Sequence, residues 1–183
     1  ELQAWSVVFG QFARAIGAPL SDDEVFDILL TQALTADADA GGVLVHPFLA
    51  GEPVAGVADG RPLVVRPPDG RLTLPNFARA LADAVFASLA MGMRALQDEE
   101  VRIDRLFAHG GLFRTGRPAQ RLLAAALDVP VALGVTPGEG GAWGIALLAS
   151  YRVNGRGRPL PEFLRDDVFA SVALDVVSPD ARD

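Results

Sequence analysis

Apolar residues follow two rhythms along this chain, and the switch between them marks its elements. Trp5, Val8, Phe9, Phe12 and Ile16 recur at helical spacing until Gly17-Ala18-Pro19 breaks the pattern, which predicts a helix at about residues 3–16. Ser21-Asp22-Asp23-Glu24 has the form of a capping box and predicts a second helix at about 22–35. Val43 to Phe48 and Leu63-Val64-Val65 are short β-rich runs, the second closed by the turn Pro67-Pro68-Asp69-Gly70. Phe77, Leu81, Val85, Leu89, Met93 and Leu96 then line one face of a long helix at about 75–97, expected to be central and largely buried.

Beyond Asp98-Glu99-Glu100 the rhythm alternates. A strand from Arg102 to Ala108 runs into His109-Gly110-Gly111; a helix from Pro118 to Leu127 follows; a strand from Val131 to Val135 runs into Gly138 to Gly144; and a helix covers Ala142 to Tyr151. Strand, helix, strand, helix implies parallel pairing with crossover helices, which places both glycine loops at the C-terminal ends of their strands, where such sheets bind ligands. Arg156-Gly157-Arg158-Pro159 and Ser178 onward read as exposed segments.

Composition narrows the chemistry. The chain has 183 residues, half of them hydrophobic, enough for one substantial core. A formal charge of −7 argues against nucleic-acid and membrane-surface partners. All 16 basic residues are arginine and there is no cysteine, which removes lysine catalysis, a P-loop lysine, thiol chemistry, disulfides and Cys-ligated zinc. No apolar run reaches membrane-spanning length and the start lacks the form of a signal peptide, so a cytoplasmic location is expected. The chain begins with Glu and enters an amphipathic pattern at once, which suggests a piece of a longer polypeptide.

Each candidate site has a structural alternative. The segment Gly110 to Pro118 offers free N–H groups at a helix start, capped by Thr115 or Gly116, which suits a phosphate; taken alone, a strand-to-helix turn explains it better. The run Gly138 to Gly144 departs from the dinucleotide fingerprint because Trp143 holds the sixth position, and tight helix packing explains it about as well as ligand contact. His109 and His46 are read as structural. Asp37 and Asp39, like Asp98 with Glu99 and Glu100, are read as solvated loop acids. Glu52, between Gly51 and Pro53, suits either a loop-anchoring hydrogen bond or a substrate contact.

Taken in order, these pieces resemble the C-terminal domain of the FGGY carbohydrate kinases. Gly42 to Pro53 is similar to the family's strand and loop ending in "PYLSGER-P", with Pro53 in place of the arginine. Asn76-Phe77-Ala78-Arg79-Ala80 and Asp83 resemble its "HL-RA" helix, Asn76 replacing the histidine. Gly110-Gly111 followed by Gln120 matches the spacing of its nucleotide loop, and Glu139 to Ala146 resembles "EA-ALGAA".

The resemblance implies an α/β fold, the C-terminal half of an actin-like, ribonuclease-H-like ATPase lacking its first strands. Residues 1–174 would be an N-terminally truncated ATP-binding domain, and 175–183 a flexible tail. ATP and Mg²⁺ are the implied cofactors, with Gly110, Gly111, Arg114, Thr115 and Glu139 as the implied nucleotide contacts. The implied enzyme is an ATP-dependent kinase acting on a pentulose or related polyol, inactive as this fragment alone, because the base lies upstream of Glu1 and the sugar is held by a missing N-terminal domain. A homodimer is an assembly that this reading allows. The alternative is a non-catalytic actin-like module that binds nucleotide as a conformational switch; a nicotinamide enzyme rests only on the imperfect glycine run.

Overall fold

Ser21 starts its helix as its capping box requires. Its Oγ accepts from Glu24 N at 3.3 Å, and Glu24 Oε2 accepts from Ser21 N at 2.8 Å, which satisfies two helix-end donors at once. These contacts belong to the computed structural model, which describes residues 1–134, 140–170 and 172–180. The helices are α1 (Leu2–Ala15), α2 (Asp22–Ala33), α3 (Leu74–Asp98), α4 (Arg117–Leu127), α5 (Gly140–Asn154) and α6 (Leu160–Phe163). The strands are β1 (Leu44–His46), β2 (Leu63–Val65), β3 (Leu106–Ala108), β4 (Val131–Leu133) and β5 (Asp175–Val177).

β3 and β4 run parallel, with Leu106 opposite Val131 and Ala108 opposite Leu133, and α4 forms the crossover between them. This is the expected α/β unit. β5 joins the other side of β4 antiparallel, Asp175 opposite Leu133 and Val177 opposite Val131. Residues 175–177, expected in a flexible tail, are therefore part of the sheet; backbone pairing to the buried strand β4 orders them. β1 and β2 form a separate antiparallel ribbon. Among the described residues no helix is long and apolar enough to cross a membrane.

α3 is central, but its buried face is not the expected stripe. Ala78, Ala82, Phe86 and Met93 join Val25, Leu29 and Leu30 of α2 and Leu122, Leu123 and Leu127 of α4 in the main core. Phe77, Ala80 and Leu81 pack instead with Leu2, Ala40 and Val43, and the ring of Phe77 meets Trp5 edge-on at 4.7 Å. The first half of α3 is thus enclosed on two sides. Val85, Leu89 and Leu96 lie between those sides further along the helix, where the enclosure ends, and are exposed. In α1 the same correction applies: Val8, Phe12 and Ile16 face outward, while Leu2, Ser6 and Ala13 are buried.

Candidate nucleotide cleft

β3 delivers the chain to Gly110, whose φ of 115° lies outside the range that other residues adopt readily. A 3₁₀ turn, Gly111–Thr115, follows, anchored by the buried side chain of Phe113. Gly116 then reverses the chain at φ 74° and caps α4, with proline in the first turn of the helix. The expected choice of cap between Thr115 and Gly116 is settled here in favour of Gly116. The Thr115 hydroxyl turns back and donates to Leu112 O at 2.9 Å, so its proton does not serve the helix start, although its lone pairs remain.

The glycines leave bare backbone. A Cβ added at Gly110 or Gly111 would meet no atom within 4 Å, so nothing in the described chain requires Gly111 to lack a side chain. A ligand approaching closely would require it. Beside this loop lies a cleft of about 440 Å³, lined by Gly111, Leu112, Arg114 and Thr115 on one side and by the starts of α1 and α2 with Val85 of α3 on the other. The structure therefore brings Gly111, Arg114 and Thr115 to one cavity, with Gly110 immediately before them at the strand end. Glu139 lies outside the described residues.

The far wall was not foreseen from the sequence. It contains Glu1, Gln3, Asp23 and Phe26, contributed by two helices whose sequences show only capping and amphipathic signals. Glu1 is already engaged, its Oε1 accepting from Trp5 Nε1 at 3.0 Å. With Arg114, Asp23 and Glu1 all among its lining residues, the cleft is of mixed charge; it suits a base and ribose, whose amino and hydroxyl groups donate to carboxylates, better than a run of phosphates.

The remaining candidates are structural. Glu52 Oε1 accepts from Val54 N at 3.1 Å and anchors its own loop, the first of its two readings. His46 Nδ1 lies 3.2 Å from Arg61 O, and its ring stands edge-on to Phe48. Asp37 and Asp39 are more than solvated loop acids. Asp37 pairs with Arg71 at 2.5 Å and accepts from the buried Asn76 Nδ2 at 2.8 Å, while Asp39 accepts from Gly41 N at 2.9 Å. Gln120, wholly buried, donates from Nε2 to Val131 O at 2.8 Å and Asp175 O at 2.9 Å, tying α4 to β4 and β5. Asp83 accepts from Arg79 Nε at 2.9 Å; burial pushes its carboxyl above the ordinary range against the pull of that guanidinium.

The family described as "FGGY family of carbohydrate kinases, C-terminal domain" matches residues 3–153, from the first turn of α1 almost to the end of α5. The chain belongs to this family. Among solved structures, the xylulose kinase from Rhodospirillum rubrum superposes with a TM-score of 0.63 at 22% identity, over 98% of this chain and 33% of that one. Gluconate kinase from Lactobacillus acidophilus gives 0.63 at 21%, over 83% and 30% of the two chains. Plasmodium falciparum glycerol kinase, solved with ADP, gives 0.56 at 15%, over 73% and 26%. At these identities the likeness is one of fold; together with the family match it gives the fold of the actin-like, ribonuclease-H-like C-terminal half. The FGGY chain spans about a third of the length of these structures. No curated protein sequence matches it.

Among the described residues no three His, Asp or Glu side chains are grouped to hold a metal ion. The cleft beside Gly111 does fit the base and ribose end of a nucleotide, by its bare backbone and its carboxylates.

Proposed function

We infer that this chain is the ATP-binding C-terminal part of a sugar kinase that moves the γ-phosphoryl group of ATP to a hydroxyl of a pentulose, D-xylulose or L-ribulose, or of a related polyol. The observation that carries this reading is the pair Gly110-Gly111, where an added Cβ would meet no atom of the described residues within 4 Å, at the end of a parallel strand and beside a cleft lined by Gly111, Arg114 and Thr115. Bound ATP, with Mg²⁺ accompanying its phosphates, supplies the phosphoryl group. The Gly110-Gly111 backbone would lie against the adenosine and α-phosphate, and Asp23 and Thr115 would accept from ribose hydroxyls or the adenine amino group. Positioning of this kind, with charge stabilisation, is the main contribution a protein makes to phosphoryl transfer.

The base that accepts the sugar hydroxyl's proton is assigned to an aspartate outside this chain, in the longer protein that also holds the sugar, and the whole works in the cytoplasm. Coupled ADP-release assays on the full-length protein with D-xylulose, L-ribulose, gluconate and glycerol test the reading. Phosphorylation of none of them would sink it. For the site itself, Gly111→Asp places a carboxylate on the bare backbone and is expected to weaken ATP binding at least tenfold, about 1.4 kcal/mol; unaltered affinity by titration calorimetry would remove Gly111 from the site.

A further inference from the structure

The two glycine loops leave the same end of the sheet, because Ala108 and Leu133 are paired neighbours on parallel strands. At that end His109, the last residue before Gly110, lies against the start of α5. A methyl group at Gly140, the first residue of α5, would lie 2.6 Å from Cγ of His109 and 2.8 Å from its Cβ and Nδ1. The imidazole therefore occupies the space that any side chain at 140 would need. By contrast, a Cβ at Gly110, Gly111, Gly141 or Gly144 would meet nothing within 4 Å. Of these loop glycines, only Gly140 is required by packing within the described chain, and its partner is the residue that immediately precedes Gly110-Gly111.

We propose that His109 is a positioning residue for the nucleotide: by seating its ring on the bare Cα of Gly140, it holds the end of β3 against the start of α5 and so fixes the place of Gly110-Gly111 beside the cleft. The proposal rests on the nucleotide reading of this cleft. The fit is reciprocal. A ring at 109 demands glycine at 140, and an added methyl at 140 drives the ring, and the loop carrying it, away from its place. Displacements of about an ångström in a positioning contact can cost about a hundredfold in rate.

The test is a double-mutant cycle in the full-length protein, with Gly140→Ala, His109→Ala and both together, read in two ways. Thermal melting without ligand reports the contact itself: Gly140→Ala should lower Tm in the wild-type background and leave it unchanged when residue 109 is alanine. Steady-state kinetics report the function: Gly140→Ala should raise KM for ATP at least tenfold with the sugar KM unchanged, and the double variant should return to within about threefold of His109→Ala alone. A merely structural role would reduce the amount of active protein, and hence kcat, without this selective change in the ATP KM. Additive effects in both readouts overturn the proposal, as does coupling in Tm with no change in the ATP KM. Failure of the wild-type protein to bind ATP overturns the nucleotide reading itself and this role with it, while coupled Tm values would still establish the contact.

Discussion

Gln120 offers the sharpest stability prediction, because its amide is wholly buried and oriented by two acceptors. Gln120→Leu keeps the volume and removes both Nε2 bonds, to Val131 O at 2.8 Å and Asp175 O at 2.9 Å. Each bond contributes about 1 kcal/mol, and a carbonyl left without a donor costs about 1–3 kcal/mol more. One gain offsets this: Gln120 Oε1 has no partner among the described residues, and leucine removes that buried polar atom. The net loss should be about 1–3 kcal/mol. Gln120→Glu separates geometry from chemistry, since it keeps the shape but turns a carboxylate oxygen toward both carbonyls. Near neutral pH it should cost more than leucine, about 3–5 kcal/mol, as a buried charge without a partner does. The introduced carboxyl should then titrate above its unfolded value, so the penalty grows as pH rises from about 4.3 through the raised folded pKa and shrinks as pH falls. Urea unfolding followed by circular dichroism at several pH values measures both variants. A Gln120→Glu protein within 1 kcal/mol of wild type at neutral pH, with no dependence of the difference on pH, would refute the argument.

Gly41 has φ 62°, and a Cβ there would collide with the Asn76 amide and lie 2.7 Å from Arg71 O, so Gly41→Ala should lose at least about 2 kcal/mol in urea unfolding. The opposite change helps at Asp128, an exposed residue at φ 51° that caps α4: Asp128→Gly should gain about 0.5–1 kcal/mol, and a loss would contradict the strain assigned to it. Because burial raises the Asp83 pKa, the folded state holds that proton more tightly than the unfolded chain. Its contribution is fully present below about pH 4 and is lost as pH rises through the raised value; Asp83→Asn should flatten this decline, and an unchanged slope would count against it. The outer edge of β3 is unpaired among the described residues and Phe107 on it is 65% exposed, so the isolated 183-residue chain should self-associate; a sharp, reversible, monomeric thermal transition would contradict this.

Helix positions were legible because their signals are local. The Ser21 box, the Gly17-Ala18-Pro19 stop and the proline in the first turn of α4 act within one turn of chain, and the five expected helices start and end within two residues of expectation except at α5, which runs from Gly140 to Asn154; the one-turn α6 was not expected. Strand lengths were less legible. The run from Arg102 pairs only at Leu106–Ala108, since pairing depends on where β4 lies and not on β propensity. β5 was missed for the same reason: three residues without periodicity become a strand when a buried neighbour supplies the ladder.

The ordered motifs also made the family legible; the structure puts Gly111, Arg114 and Thr115 along one wall of a cleft, with Gly110 just before them. The opposite wall was not legible, because Asp23, Phe26 and Val85 come from helices whose periodicity records only that they are amphipathic. The seating of His109 on Gly140 was equally hidden; a missing side chain shows that space is needed or that a dihedral is unusual, not what fills the space. By itself, then, the sequence determined the five longer helices, the lysine-free and cysteine-free chemistry, and the fold family, all of which follow from local preference and ordered motifs. Only the tertiary structure decided which apolar faces are buried, which acids are anchors and which glycines are bare, because each of these depends on neighbours distant in the chain.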